Sequence, residues 1–131
     1  MNADSSAPEL ARAFHRTVTT QNWDLLGDIL DPAVTWSFPG SNILSGVVSG
    51  IDGVIGQAQR IGSFGVSIAL EYILIGHDPN TVIVQLHNTA QRGDERLDEH
   101  LGTVCRVRNG RIISADTFLS DIASMNEFFT A

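Results

Sequence analysis

The first half of the chain carries apolar residues at the spacing of amphipathic helices. Two groups recur every three or four positions: Leu10, Ala11, Phe14 and Val18, then Trp23, Leu26, Ile29 and Leu30. This spacing puts the apolar side chains on one helix face and predicts two successive helices. Residues 1–8 are predicted to form a flexible tail, in which Pro8 suits a first helical turn, and Pro32 is expected to end the second helix. A third helix is predicted over 52–61, with Gly62 as its C-terminal cap.

Period-two alternation replaces the helical spacing in the rest of the chain. A strand predicted over 34–38 is followed by a loop over 41–50. Four more strands are predicted over 66–75, 81–90, 97–107 and 111–119. The dipeptide Asn109-Gly110 between the last two is a strong hairpin signal, and 121–129 predicts a final short helix.

This order of elements predicts an α+β fold. Helices that precede a run of antiparallel strands pack on one face of a curved sheet. The chain has 131 residues, which fits one domain over 1–131 with a substantial core. Charged residues make up 18% of the sequence, against about 25% in a typical globular protein. A cavity or a subunit interface would account for this low charge content.

The charge and the single cysteine exclude several function classes. The formal charge is −7 and the eight cations, all arginine, form no run that could neutralise phosphates, so nucleic acid is not expected as a partner. No segment has the pattern of a secretion signal or a membrane span, so we expect a cytoplasmic protein that does not contact membranes. Cys105 can form neither an internal disulfide nor a thiolate metal site, and is expected to be an inert core thiol.

Two stretches of sequence resemble a known superfamily. They are ILDPAVTWSFPGSNILSGVVSGIDG, at 29–53, and RLDEHLGTVCRVRNGRIISADTFLSD, at 96–121. Their order and spacing resemble the SnoaL-like and ketosteroid-isomerase-like superfamily, also called nuclear transport factor 2-like. The resemblance implies a cone-shaped curved antiparallel sheet packed against three N-terminal helices. Its interior would bind a small apolar ligand, and its exposed sheet face predicts a homodimer.

Matching the chain to this superfamily puts neutral residues at three catalytic positions. The isomerases' aspartate before the strand-ending proline corresponds to Phe38. Their second aspartate, or a histidine in the cyclases, corresponds to Thr103, and the cyclases' last-strand aspartate corresponds to Thr117. Threonine can orient a carbonyl or a hydroxyl but cannot hold a charge near neutral pH. The catalytic mechanism of these relatives therefore cannot be assigned to this chain on the basis of these three positions.

Other residues remain as candidates for chemistry. His87 and His100 lie in predicted strands of unknown register, and either would be a proton-transfer group if it faced inward. For Asp116, a simple two-residue turn at Asn109-Gly110 would place it opposite Thr103, on the same sheet face. A glycine bulge would instead place Ala115 and Thr117 on that face, and the resemblance favours the bulge. The candidate catalytic residues are Asp116, His100, His87 and Thr103.

The remaining polar candidates are assigned simpler roles. His15 and His77 are expected at the surface, Glu99 is expected to be solvated, and Asp121 is expected to cap the last helix. The predicted substrate-binding residues are Trp36, Phe38, Tyr72, Thr117, Phe118 and Leu119. No metal site is expected, because neighbouring strand residues such as 98–100 point to opposite faces. No cofactor is expected either.

Three hypotheses for function follow from these observations. The first is a cofactor-free isomerase or cyclase that acts on a polyketide- or terpenoid-like intermediate of secondary metabolism, mainly by positioning it. The second is an epoxide-opening cyclase or hydrolase that uses Asp116 and a histidine. The third is a non-catalytic module that binds a small ligand.

Overall fold

The computed structural model describes residues 5–130 and confirms the α+β fold class. In chain order its elements are α1 Ala7–Thr19, α2 Trp23–Ile29, β1 Leu30–Phe38, β2 Gly46–Ser49, α3 Gly50–Ser63, β3 Ser67–Ile75, β4 Thr81–Arg92, β5 Glu95–Arg108, β6 Arg111–Leu119 and α4 Ile122–Phe128. The strands form one curved, unclosed sheet in the order β2-β1-β6-β5-β4-β3. Neighbouring strands are antiparallel except β1 and β6, which are parallel.

The starts of α1 and β1 differ from the prediction, and one strand was missed. Helix α1 begins at Ala7, because the Ser6 hydroxyl accepts a hydrogen bond from the Glu9 amide and caps the first turn. The predicted tail over 1–8 therefore wrongly includes Ala7 and Pro8, which belong to α1. Residues 1–4 of this tail lie outside the described part of the chain. Strand β1 begins before Pro32, and the predicted loop over 41–50 contains the missed strand β2, which pairs with β1 at the sheet edge.

The core lies between the helices and the concave face of the sheet. Alternate residues of β4, β5 and β6 point toward α1, α3 and α4, as their alternating burial shows. The largest fully buried side chains include Leu10, Leu26, Ile29, Leu97, Ile112, Phe128 and Phe129. Among the residues described, no helix is long and apolar enough to cross a membrane.

The register of β5 and β6 decides which residues of β6 face the core. Asn109 and Gly110 both have positive φ, as a tight two-residue turn between Arg108 and Arg111 requires. The pairing then shifts by one residue, because Val107 pairs with Ile112 but Arg106 pairs with Ser114. The structure contains both of the predicted alternatives. A two-residue turn forms at Asn109-Gly110, and a bulge in β6 after Ile112 then pairs Thr103 with Thr117.

The expectation that Glu99 is solvated is wrong. Its side chain is 1% exposed and lies on the concave face of β5, between Leu97 and Leu101. One carboxylate oxygen, Oε1, accepts hydrogen bonds from the backbone amides of Ser120 (2.9 Å) and Asp121 (3.0 Å) and from the Ser120 hydroxyl (2.9 Å). The Asp121 side chain in turn accepts from the Ser124 amide, so its predicted role as a helix cap is confirmed. Glu99 therefore holds the start of α4 against the sheet.

Two substitutions of Glu99 should show whether stability depends on its hydrogen-bond acceptor or only on the volume of its side chain. Glu99→Leu leaves the partly buried backbone amides of Ser120 and Asp121 without this acceptor and is expected to lower the free energy of unfolding by about 1–3 kcal/mol. Glu99→Gln keeps an acceptor oxygen and should lose less than half as much. Urea denaturation of both variants tests this, and a Leu variant as stable as the wild type would contradict it.

The single cysteine should be unreactive in the folded protein. Cys105 is buried on the concave face, and burial, together with the nearby charge of Asp116, raises the pKa of its thiol to about 12. The reactive thiolate is therefore scarce near neutral pH. We expect a chromogenic disulfide reagent to label it only in denaturant. Rapid labelling of native protein would show that this face opens readily.

Candidate functional site

A narrow apolar cavity lies between the helices and the concave sheet face. Its volume is about 50 Å³, and sixteen of the described residues line it, of which thirteen are apolar. The apolar ones are Ala11, Phe14, Val18, Trp36, Phe38, Leu44, Ile61, Ile68, Val84, Leu86, Leu101, Met125 and Phe129. The polar ones are His15, Asn88 and Thr103. Trp36, Phe38 and Thr103 were predicted for the site, and the structure brings them together here.

The aromatic side of the cavity is held in place by Trp36. Its ring meets Phe14 edge-on at 5.3 Å between centroids and lies 5.1 Å from Phe38. The indole nitrogen donates to the Thr117 hydroxyl at 3.3 Å. Thr117, where the cyclases have an aspartate, thus serves to orient the tryptophan. Leu119 also faces inward and packs against the core, but neither it nor Thr117 lines the cavity.

Two unpaired oxygens lie at the polar end of the concave face. Asn88 on β4 lines the cavity and pairs directly with Glu99 on β5. Both are buried, with 8% and 1% of their surface exposed. The Asn88 Oδ1 and the Glu99 Oε2 have no hydrogen-bond partner among the described residues. Such groups cost stability, and a ligand or water that donates hydrogen bonds would satisfy them.

The surface position predicted for His15 is wrong. Its side chain lines the cavity from α1, and its Nε2 lies 2.8 Å from the carbonyl oxygen of Ile68 on β3. A carbonyl only accepts, so Nε2 donates, and the neutral ring keeps Nδ1 as a proton acceptor. Among the described residues that line the cavity, His15 is the only one with a titratable side chain. The apolar spacing of α1 could have found it, because position 15 continues the face of Ala11 and Val18.

Three of the predicted catalytic residues lie on the other side of the sheet. Asp116, His87 and His100 have their side chains on the convex face, because they alternate with the inward-facing Thr117, Asn88 and Leu101. Their prediction as cavity residues is therefore corrected. Tyr72 and Phe118, predicted to line the cavity, are 53% and 62% exposed and also lie outside it.

Asp116 has a structural explanation on the convex face. Its carboxylate accepts from the Ser37 hydroxyl at 2.7 Å and from the Arg106 guanidinium at 2.9 Å. It therefore links β6 to both of its neighbours, β1 and β5. These contacts account for the aspartate without a catalytic role.

The two strand histidines form a stack with carboxylates on either side. The His87 and His100 rings lie 4.1 Å apart and are 8° from parallel. His87 Nε2 is 2.5 Å from Asp98 Oδ1, and His100 Nδ1 is 3.0 Å from Glu71 Oε1. The hydrogen bond to Glu71 raises the pKa of His100 above its usual range, and the hydrogen bond from His87 lowers the pKa of Asp98.

A wider surface groove adjoins the cavity. It has a volume of about 550 Å³ and lies between α1, α3 and the start of β3. The groove and the cavity share Val18, Ile61 and Ile68, which therefore form the partition between them. Movement of these three side chains would join the cavity to the groove.

The cavity can therefore bind and orient an organic molecule but carries little charge of its own. Apolar walls with a few converging polar groups are typical of small-molecule sites. No carboxylate of the described residues lines it. Asn88 and Thr103 can orient a ligand, and His15 can accept or release a proton.

Comparisons with known proteins agree with this geometry. The family model of the SnoaL-like domain matches residues 11–115. No curated protein matches the sequence.

Several solved structures share the fold. Bal32a, from a soil-derived mobile gene cassette, is 27% identical with a TM-score of 0.88, over 94% of this chain and 95% of that one. A nuclear transport factor 2-like protein from Burkholderia xenovorans is 14% identical with a TM-score of 0.81, over 96% and 98%. TerC, co-crystallised with polyporic acid, is 14% identical with a TM-score of 0.79, over 94% and 97%.

The family match spans most of the chain, and the curved sheet and helices reproduce the fold of these structures. The protein therefore belongs to the SnoaL-like domain family of the nuclear transport factor 2-like superfamily.

Proposed function

We propose that this protein is a cofactor-free enzyme that encloses a small, largely apolar molecule and isomerises or cyclises it. The observation that carries this proposal is the cavity wall, in which thirteen apolar residues surround three polar ones. Such a wall binds a carbon skeleton and fixes its orientation through a few hydrogen bonds. The low charge content of the chain fits a protein that gives part of its interior to a ligand.

Positioning is the main source of rate in this proposal. Holding reacting atoms in the correct geometry can contribute about 7–11 kcal/mol without any charged group. His15 adds one group that can move a proton near neutral pH. In an isomerisation, Nδ1 would take a proton from a carbon next to a carbonyl and return it to another carbon of the same molecule. The Asn88 and Thr103 side chains would hold the oxygen-bearing part of the substrate.

The second hypothesis, epoxide opening by Asp116 and a strand histidine, has no support in this arrangement. Asp116, His87 and His100 all lie on the convex face, away from the cavity. The structure of TerC with polyporic acid supports an organic ligand for this fold, which makes polyporic acid a reasonable probe. It does not identify the substrate of this chain.

Ligand binding requires the cavity to expand. An engineered protein cavity that binds benzene has a volume of about 150 Å³, whereas the volume of the present cavity is about 50 Å³. The partition formed by Val18, Ile61 and Ile68 separates the cavity from the groove, so displacing these side chains would add groove volume to the cavity. Met125 on α4 also lines the cavity, and its flexible side chain can adapt to different shapes.

His15→Gln tests the proposed proton transfer. Glutamine can still donate to the Ile68 carbonyl but cannot accept a proton, so a general base would be lost while the fold is kept. We expect wild-type protein to convert a β,γ-unsaturated cyclohexenone to its conjugated isomer, and the variant to be about 100-fold slower. Ultraviolet absorbance of the product measures the rate, and polyporic acid is tested as a competitor.

His100→Gln, on the convex face, is the matched control and should leave the rate unchanged. Binding of the probes without conversion would contradict the enzymatic proposal and favour a ligand-binding module. Failure of every probe to raise the melting temperature would contradict the binding site itself. A His15→Gln rate equal to that of the wild type would exclude His15 as the base.

Asn88→Leu tests whether the unpaired amide oxygen selects ligands. Naphthol and methylnaphthalene have similar shapes, but only naphthol can donate a hydrogen bond. The variant should bind naphthol about 3–10-fold more weakly, as expected for one hydrogen bond, and bind methylnaphthalene at least as well as the wild type. Its thermal stability should not fall, because the buried polar group it removes is unsatisfied. Equal losses for both ligands would show a packing defect instead of selective recognition.

A further inference from the structure

We propose that the convex sheet face carries a binding site for one divalent transition-metal ion of the zinc type. Its ligands are His87 on β4 and Asp98 and His100 on β5. One ligand atom from each lies within 4.8 Å of the others. The site is separate from the cavity and does not depend on the function proposed for it.

The strand pairing brings these ligands together. His87 pairs directly with His100 across β4 and β5, and Asp98 is two residues before His100, so all three side chains leave the same face of the sheet. From the sequence, no metal site was expected, because residues 98–100 are consecutive in a strand and their side chains alternate between the two faces. In the structure, Glu99 points to the concave face, whereas His87 on the neighbouring strand points to the same convex face as Asp98 and His100. The geometric argument against a metal site therefore excludes Glu99 as a ligand but does not exclude Asp98 and His100.

The chemistry of the donors selects the kind of ion. Two imidazoles and a carboxylate suit zinc, cobalt or nickel, whereas magnesium and calcium prefer sites made of oxygen alone. With three protein ligands, the fourth position of a tetrahedral ion would hold water. The three residues come from two adjacent strands, which hold their backbones at a fixed separation.

Glu71 adds an orienting contact. Its carboxylate is hydrogen-bonded to His100 Nδ1 at 3.0 Å, which leaves Nε2 of that ring as the atom for the ion. A carboxylate that holds the far nitrogen of a metal-binding histidine is a common feature of metal sites, where it fixes the ring and strengthens it as a ligand. Glu71 lies at the register shift in β3, between Leu70 and Tyr72. The bulge therefore places the carboxylate beside His100.

Metal binding requires a local rearrangement. The stacked rings are nearly parallel, so one ion cannot lie in both ring planes until a ring turns. Ligand atoms in a tetrahedral zinc site are about 3.4 Å apart, as follows from bonds of about 2.0–2.2 Å. The side chains of His100 and Asp98 are 53% and 69% exposed, so both can move without disturbing the core. This cost predicts micromolar and not nanomolar affinity.

Zinc titration of tag-free, chelator-treated protein by calorimetry tests the proposal, with cobalt absorbance as a second readout of coordination. We expect one ion per chain, binding at least 10-fold weaker in His87→Ala and in His100→Ala, and a smaller loss in Glu71→Gln. His77→Ala removes an exposed histidine from the turn before β4 and is the matched control, which should bind as the wild type does. Magnesium should not bind. Absence of zinc binding at 1 mM, on the order of a thousandfold above a micromolar Kd, would overturn the proposal. Wild-type affinity in either strand-histidine variant would overturn it too.

Discussion

The one-residue register shift between β5 and β6 is the constraint on which the site depends. Without it, Asp116 would lie opposite Thr103 on the concave face, and a carboxyl group would stand in place of the Thr117 hydroxyl beside the Trp36 indole. With it, Thr117 takes that place and fixes the Trp36 indole, while Asp116 joins Ser37 and Arg106 on the convex face. A slip of one residue exchanges the two faces of a strand, so this bulge keeps the Asp116 carboxylate off the concave face.

The helices and most strands could be predicted from residue spacing, but the faces of the strands could not. The spacing of Leu10, Phe14 and Val18 was enough for α1, and Asn109-Gly110 located the hairpin. The bulge in β6 has no comparable signal, since Ile113 is an ordinary strand residue. The resemblance to the superfamily supplied the register that local pattern left open.

The alternation of apolar residues in the strands indicated that Asn88 and Glu99 face inward, but their polarity argued for the surface. Asn88 continues the inward series of Val82, Val84 and Leu86, and Glu99 lies between two inward leucines. Treating polarity as evidence for the surface assigned Glu99 wrongly and left Asn88 without any assignment. Polar residues inside an apolar series are more informative than apolar ones, because burial of a polar group costs stability that some other requirement must offset.

Glu99 connects the sheet to the wall of the cavity, which gives this buried carboxyl group a structural role. Its Oε1 binds the start of α4, while the Arg92 side chain donates to the carbonyl oxygens of Phe128 and Thr130 at the other end. Between these two attachments, α4 presents Met125 to the cavity, and Phe129 follows directly after the helix. A seven-residue helix has little stability of its own, so these contacts keep it in place. The cavity is therefore bounded on this side by a short element held at both ends, and on the groove side by the partition of Val18, Ile61 and Ile68.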